Sequence, residues 1–290
     1  MPEVKANKKQ KMVPIFAGGG TRLPAHIGIL KAIEELNITF DHIVGVSGGS
    51  IVGALYAAGY TLAEIEKIAL GTPFAKFKGF SLITLLRDGG LCSGDEFEHW
   101  MDEKLQGLTF GHLHHHLHIV ATDVAQGRPV IFNRDTSPDM KVSKAVRFSM
   151  SIPLLFSFKK FNDYVMADGS ILSEDALHRD WAGDGTPVLC FRLRSQAVHK
   201  LNDKKAYFAL KTYASMLIRT FMNTVSREYI NDKLWHNTII VNTGSISPVD
   251  FNLTDAEKQE LLKMGYDTAI SLIPHKVIPY IDPSAVSSMH

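Results

Sequence analysis

Ser47 stands in Gly45-Val46-Ser47-Gly48-Gly49, a G-x-S-x-G sequence set between a short apolar run and a helical repeat. A serine on a tight strand-to-helix turn is presented at the carboxyl edge of a sheet, and flanking glycines let the backbone take that turn without a Cβ clash. The helix that follows aims its amino end at the hydroxyl, so the Gly48 N–H is placed to stabilise an oxyanion. The chemistry served would be attack on an acyl carbonyl; the plainer reading is a glycine-rich turn whose serine caps a helix. Gly18-Gly19-Gly20-Thr21-Arg22 also follows an apolar run, and successive glycines expose the backbone N–H groups that a tetrahedral oxyanion requires. Its alternative is a phosphate loop, but the lysine of a P-loop is missing and Leu23 stands where a dinucleotide fingerprint has its third glycine. Asp168-Gly169-Ser170, after Tyr164 to Ala167, supplies a carboxylate, although an Asp-Gly pair alone is an ordinary turn.

Taken together, the three segments resemble the patatin-like phospholipases, whose pattern is a glycine-rich oxyanion loop, a G-x-S-x-G elbow and a downstream Asp-Gly. The likeness extends through HIGILKAIEELNI, GSIVGALYAAG, HIVATDVAQGRPVIFN and AVRFSMSIPLLFSF, with an echo in VNTGSISPVDFNL. The resemblance implies an α/β chain with a three-layer α/β/α fold and a mainly parallel central sheet. It also implies hydrolysis of fatty-acyl esters of phospholipids or related lipids by a Ser-Asp dyad, through an acyl-enzyme and without metal or other cofactor. Carried over by residue, Ser47 is the nucleophile and Asp168 the base. Gly18, Gly19 and Gly20 form the oxyanion loop with Gly48, while Gly45, Val46 and Gly49 shape the nucleophile elbow, and Arg22 is the loop arginine. The sequence departs from the family at Leu23, where a glycine is usual, and after Ser170, where no Asn-x-Pro follows. An ionised aspartate is a weak base for serine, so such a dyad leans on its oxyanion amides, whose loss costs on the order of 10²–10³ in rate.

Other side chains offer competing chemistry. Thirteen histidines make a Ser-His-Asp triad worth weighing, and the histidine-last order of α/β-hydrolases nominates His178, His199, His236 or His275. In HLHHHLH, strand alternation would put His112, His114, His116 and His118 on one face as metal ligands, against the blander account of a partly solvated strand entry. A non-catalytic lipid-binding or regulatory module on the same fold, and acyl transfer to an acceptor other than water, also stay open.

The elements that must position these groups follow from periodicity. Met12 to Ala17 and His42 to Val46 read as buried strands, each leading through a glycine turn into an amphipathic helix; Pro24 opens the first. Repeated βα units predict a parallel sheet with right-handed crossovers. Thr61 with Glu64, and Thr254 with Glu257, form capping boxes, the second ahead of a helix with Leu262, Gly265, Tyr266, Ala269 and Ile273 in one stripe. A polar helix over Gly94 to Leu105 and strands over Leu117 to Thr122, Arg128 to Phe132 and Pro187 to Leu193 are expected between them. Thr72 to Leu91 carries Phe74, Phe77, Phe80, Ile83, Leu85 and Leu86 with few charges, and reads equally as a lid or lipid-facing surface and as core packed under a loop.

The bulk properties set the frame. With 290 residues and 45% hydrophobic content, one large domain over residues 12–290 with a helical C-terminal region is expected, after a flexible basic tip at residues 1–11. The net charge of +1 gives no field for nucleic acid. Cys92 and Cys190 lack disulfide or zinc spacing, which favours a reducing compartment. No apolar run reaches the roughly 18 to 20 residues that span a bilayer, so a cytoplasmic protein is expected, with transient contact at a membrane surface.

Overall fold

The computed structural model describes residues 10–77, 81–172, 179–195 and 235–277, together with residues 213, 216–218 and 220. The apolar runs ahead of the two glycine turns form β1 (Val13–Ala17) and β2 (His42–Val46), each followed by a helix, α1 (Pro24–Glu35) and α2 (Gly48–Ala57). The strands lie side by side in parallel, with Ile15 opposite Val44 and Ala17 opposite Val46. The remaining strands are β3 (Gly90–Cys92), β4 (His116–Asp123), β5 (Arg128–Phe132), β6 (Leu154–Phe156), β7 (Lys159–Phe161), β8 (Tyr164–Ala167), β9 (Val188–Arg194) and β10 (Thr238–Asn242). The main sheet runs β10-β9-β1-β2-β4-β8-β7, with β5 also on β4. From β10 to β4 every pairing is parallel, while β5, β7 and β8 are antiparallel, so the expected α/β class with a mainly parallel central sheet is what the chain forms. β3 and β6 make a separate parallel pair.

Alternation along the central strands divides the core between the two sheet faces. Phe16, Ile43, Leu117 and Ile119 turn to the face covered by the helices, which include α3 (Leu62–Gly71), α5 (Asp95–Leu105), α6 (Val142–Ser149) and α7 (Asp255–Val277). Val13, Ile15, Val44, Val46 and Val120 turn to the other, where Trp181 packs on them. α1 and α7 cross at close range: a Cβ at Gly28 would lie 1.9 Å from the Leu262 carbonyl oxygen, and one at Gly265 would lie 2.0 Å from that of Ala25. Both capping boxes form, at Thr61 with Glu64 and at Thr254 with Glu257. Lys258 of α7 is buried and donates to the carbonyls of Leu70 and Thr72, tying α7 to the end of α3.

Several expectations shift in detail. Gln10 and Lys11, read as part of the free tip, are tied down: the Gln10 carbonyl accepts from the Thr39 N–H and Lys11 pairs with Asp41. His112 lies in a short 3₁₀ turn and His114 precedes β4, so only His116 and His118 share the strand face. The Phe-rich segment divides: Phe74 and Phe77 are core, whereas α4 (Leu82–Asp88) exposes Ile83 and Leu86; Phe80 lies outside the described residues. Among the described residues no helix is long and apolar enough to cross a membrane.

Candidate active site

Strand geometry brings the serine and the aspartate together. β5 occupies one edge of β4 from Ile119 to Asp123, so β2 and β8 must share the other edge. β2 runs parallel to β4 and ends with Val46 opposite Val120. β8 runs antiparallel and ends with Ala167 opposite Thr122. The two strands therefore advance towards each other along β4, and the residues that follow them, Ser47 and Asp168, meet at its Ala121 level. Gly169 is needed for the fit, because a Cβ there would stand 2.0 Å from the Val120 carbonyl oxygen.

Ser47 is fully buried and takes φ 52 and ψ −128, a backbone state that costs a non-glycine residue of order 1–3 kcal/mol. Packing holds it there. Gly49 rides so close to β1 that a Cβ would come within 2.1 Å of the Phe16 carbonyl oxygen, and Gly45 is overlaid by Ser50 of α2. Val46 anchors the other sheet face. The Ser47 N–H donates to Ser149 Oγ at 2.8 Å, and that hydroxyl donates in turn to the Val120 carbonyl at 2.6 Å. Ser47 Oγ donates to Asp168 Oδ2 at 2.7 Å, with Met150 Sδ at 3.7 Å.

Asp168 is held at four points. Its other oxygen accepts the Ser170 N–H at 2.8 Å, its own N–H donates to the Ser151 carbonyl at 2.9 Å, and its carbonyl accepts from Thr122 Oγ1 at 3.0 Å. Burial pushes the carboxyl up to about 6, against the opposing pull of the hydrogen bonds from Ser47 and Ser170. A carboxylate so placed is a stronger base than an exposed one and is still ionised at neutral pH.

The glycine loop reaches this pair from β1. A Cβ at Gly48 would lie 2.7 Å from the Gly20 nitrogen, which measures how closely the loop and the start of α2 approach. The N–H groups of Gly19, Gly20 and Gly48 have no acceptor among the described residues. Gly18 differs from the other loop glycines: its N–H is committed to the Val46 carbonyl at 3.1 Å, so it braces the loop against β2 and has no hydrogen to offer an oxyanion. Its carbonyl accepts from the Gly49 N–H at 3.0 Å and from His26 Nε2 at 3.1 Å. Burial pushes His26 down to about 4, so it is neutral at physiological pH and Nε2 carries the donor hydrogen. Arg22 also acts behind the loop. It is buried, its charge spread over the Gly19 carbonyl, the Leu193 carbonyl and Thr243 Oγ1 at 2.9–3.2 Å.

A narrow apolar pocket opens beside the pair, lined by Leu23, Ile51, Phe74, Phe97, Trp100 and Met150 among others. Gly20 and Thr21 form part of its wall, so the loop amides border a hydrocarbon-lined space.

The other candidates lie apart. His236 is exposed and precedes β10, at the amino edge of the parallel sheet and opposite Ser47; His275 is exposed in the last turn of α7. His178 and His199 lie outside the described residues. His116 and His118 belong to a cluster with His42 at the amino ends of β2 and β4, where His42 Nδ1 and His118 Nε2 bond at 3.0 Å. Among the described residues no group of three or more potential ligands is arranged to hold a metal ion. His26 and Ser149 carry no motif and escape sequence reasoning.

Comparison with known proteins extends the picture. YqhO, an uncharacterized protein of Bacillus subtilis, is 26% identical over 277 residues, covering 87% of this chain and 94% of its own. Lysophospholipase NTE1 of Eremothecium gossypii is 56% identical over 59 residues, which are 19% of this chain and 4% of that much longer protein. The crystal structure of VipD from Legionella pneumophila superposes with a TM-score of 0.61 over 91% of this chain and 67% of VipD at 17% identity, a likeness of fold. The family model for patatin-like phospholipases matches residues 15–178, more than half of the sequence. With the fold and the family both in agreement, the chain belongs to the patatin-like phospholipase family of lipid hydrolases.

Proposed function

We propose that the chain is a carboxylic ester hydrolase acting on fatty-acyl esters of phospholipids or related lipids, with Ser47 as nucleophile and Asp168 as its only side-chain base. The observation that carries this reading is the 2.7 Å bond from Ser47 Oγ to Asp168 Oδ2 beside an apolar cavity. Ser47 Oγ attacks the ester carbonyl carbon as its proton passes to Asp168 Oδ2, and the carbonyl oxygen takes the negative charge. The N–H groups of Gly19, Gly20 and Gly48 receive that oxyanion, while Gly18, Arg22 and His26 hold the loop. Collapse breaks the bond to the leaving alcohol, which takes the proton from Asp168. Water then attacks the acyl-enzyme, giving its proton to Asp168, and the fatty acid leaves as the proton returns to Ser47. The acyl chain lies in the aromatic cavity, where burial favours hydrocarbon and disfavours a charged group. A relative named as a lysophospholipase supports a lipid substrate. Residues 12–290 are read as one catalytic domain.

The test is hydrolysis of a mixed phospholipid set and of a fluorogenic ester by wild type, Ser47→Ala and Asp168→Asn, with labelling by a serine-reactive fluorophosphonate. Wild type turns over and is labelled, and Ser47→Ala does neither. A histidine variant among His178, His199, His236 and His275 that proved as inactive as Ser47→Ala would replace the dyad by a triad. Absence of both labelling and turnover in wild type would leave a lipid-binding module, and product analysis with added alcohols separates hydrolysis from acyl transfer.

A further inference from the structure

The wall of the apolar cavity has an outer side. Phe74, Phe77 and Phe156 line the cavity from within, on the 3₁₀ turn Phe74–Phe77 and on β6. β6 pairs with β3, and β3 is joined to α4 through Gly89. On α4, Ile83 is 75% exposed and Leu86 82% exposed, three residues apart and so on one helix face, with the exposed Arg87 beside them. Phe158, two residues past Phe156, is 45% exposed, and its ring lies against the end of α4, 2.9 Å from where a Gly89 Cβ would be. Three large apolar side chains thus face water on segments joined to the β3–β6 pair, whose Phe156 lines the hydrocarbon-lined space. Single exposed apolar residues are ordinary; a group of them on adjoining segments is not.

Basic groups frame this face. Lys76 Nζ stands 4.8 Å from the centroid of Phe77 and 5.3 Å from that of Trp100, over the aromatic lining itself. Lys160 is exposed two residues beyond Phe158. Arg87 pairs with Asp88 and Lys159 with Asp95, whereas Lys76 and Lys160 have no acidic partner among the described residues.

We propose that Ile83, Leu86 and Phe158, framed by Lys76, Arg87 and Lys160, dock the protein on an anionic lipid bilayer with the cavity facing the lipid. The inference rests on the lipid-ester reading only for its purpose; the docking is a binding event in its own right. Aliphatic and aromatic side chains enter the region between headgroups and acyl chains while lysine and arginine meet anionic headgroups. A second copy of the chain fits less well, because a two-fold interface on this face would set the same basic residues against each other.

The test is co-sedimentation with vesicles of phosphatidylcholine alone and of phosphatidylcholine with one fifth phosphatidylglycerol, at low and high salt. Wild type, Ile83→Asp/Leu86→Asp and Arg87→Glu/Lys160→Glu are compared, with circular dichroism, solution mass and turnover of a water-soluble short-chain ester as controls. Wild type binds the anionic vesicles more tightly than the neutral ones, and salt weakens the difference. Ile83→Asp/Leu86→Asp reduces partitioning by at least about tenfold. Arg87→Glu/Lys160→Glu abolishes the preference for anionic vesicles. Both variants keep the wild-type fold, mass and soluble-ester turnover. Equal sedimentation of wild type and Ile83→Asp/Leu86→Asp would overturn the proposal, as would a dimeric wild type that the same variant renders monomeric with vesicle binding unchanged. Vesicle binding by a wild type without ester turnover would sink the catalytic reading and leave the docking surface standing.

Discussion

β2 carries a polar cluster at each end, and the two are built in opposite ways. At the amino end the Asn133 amide donates to His118 Nδ1 at 3.1 Å, and the hydrogen this leaves on His118 Nε2 goes to His42 Nδ1 at 3.0 Å. His116 stacks on His42 with ring centroids 4.5 Å apart, and Trp181 packs on His118 at 4.8 Å. This chain of donors and acceptors is complete without a ligand. At the carboxyl end three backbone N–H groups have no acceptor among the described residues, a serine is held in a strained conformation and a carboxyl is buried against its ionisation. That cluster leaves donors open among the described residues. A closed polar network specifies a fold, while an open set of fixed dipoles marks a reactive site.

Substitutions can break or sharpen the contrast. The largest effect is expected from Asp168→Asn, which lowers turnover on the order of 10⁴-fold. The same change makes the protein more stable at neutral pH. Moving a buried carboxyl from 3.8 to about 6 costs about 3 kcal/mol once it is ionised, and the amide removes that cost. Between pH 6 and 4 the unfolded chain gives up the proton that the native state keeps, so wild type gains stability as pH falls through this window and the advantage of Asp168→Asn shrinks. Thermal denaturation across pH reads this directly, and a variant less stable than wild type at pH 7 would contradict it. Next, kcat/KM is expected to fall about tenfold per pH unit below about 6, as Asp168 is protonated and lost as a base. A profile flat to pH 5 would remove Asp168 from the base role.

Ser149→Ala should come third. It strips the acceptor from the Ser47 N–H in a buried site, costing about 1–3 kcal/mol of stability, and lowers kcat about tenfold with KM little changed. A change confined to stability would make Ser149 a packing residue only. The smallest effect on rate is expected at the other end: His118→Gln leaves kcat within about twofold of wild type. Its signature lies in acid stability. Burial pushes His118 down to about 3 and lowers His42 as well, so the unfolded chain takes up protons that the native cluster refuses, and stability is lost as pH falls below about 6.5. His118→Gln blunts that loss, in the opposite pH sense to Asp168→Asn. A fall in kcat that matched Asp168→Asn would erase the distinction between the two ends.

What could be read from the sequence was local. Both βα units and both capping boxes are set by residues within a few positions of each other, and they form where periodicity and capping chemistry place them. The G-x-S-x-G turn, the glycine run and Asp-Gly are short motifs for the same reason. What stayed hidden depends on pairings between distant strands. Nothing near His26 reveals that it bonds Gly18, and nothing near Ser149 reveals that it holds the Ser47 N–H, because both depend on how α1 and α6 pack. Gly18 looked equivalent to Gly19 and Gly20 until β2 claimed its hydrogen. Strand alternation holds only from His116, because the chain turns through a 3₁₀ segment at His112, four residues before β4 begins.

The meeting of β2 and β8 along β4 has a consequence for the life of the newly made chain. Ser47 and Asp168 are 121 positions apart, and their contact exists only after an antiparallel strand from the second half of the sheet has been laid against the first. A ribosome-bound fragment that has released the serine but not the strand ending at Ala167 carries a hydroxyl without its carboxyl partner. Loop closure over such a span is slow relative to local helix formation, so this contact forms late. The laying of β8 against β4 thus fixes the moment at which the hydroxyl and the carboxyl first meet.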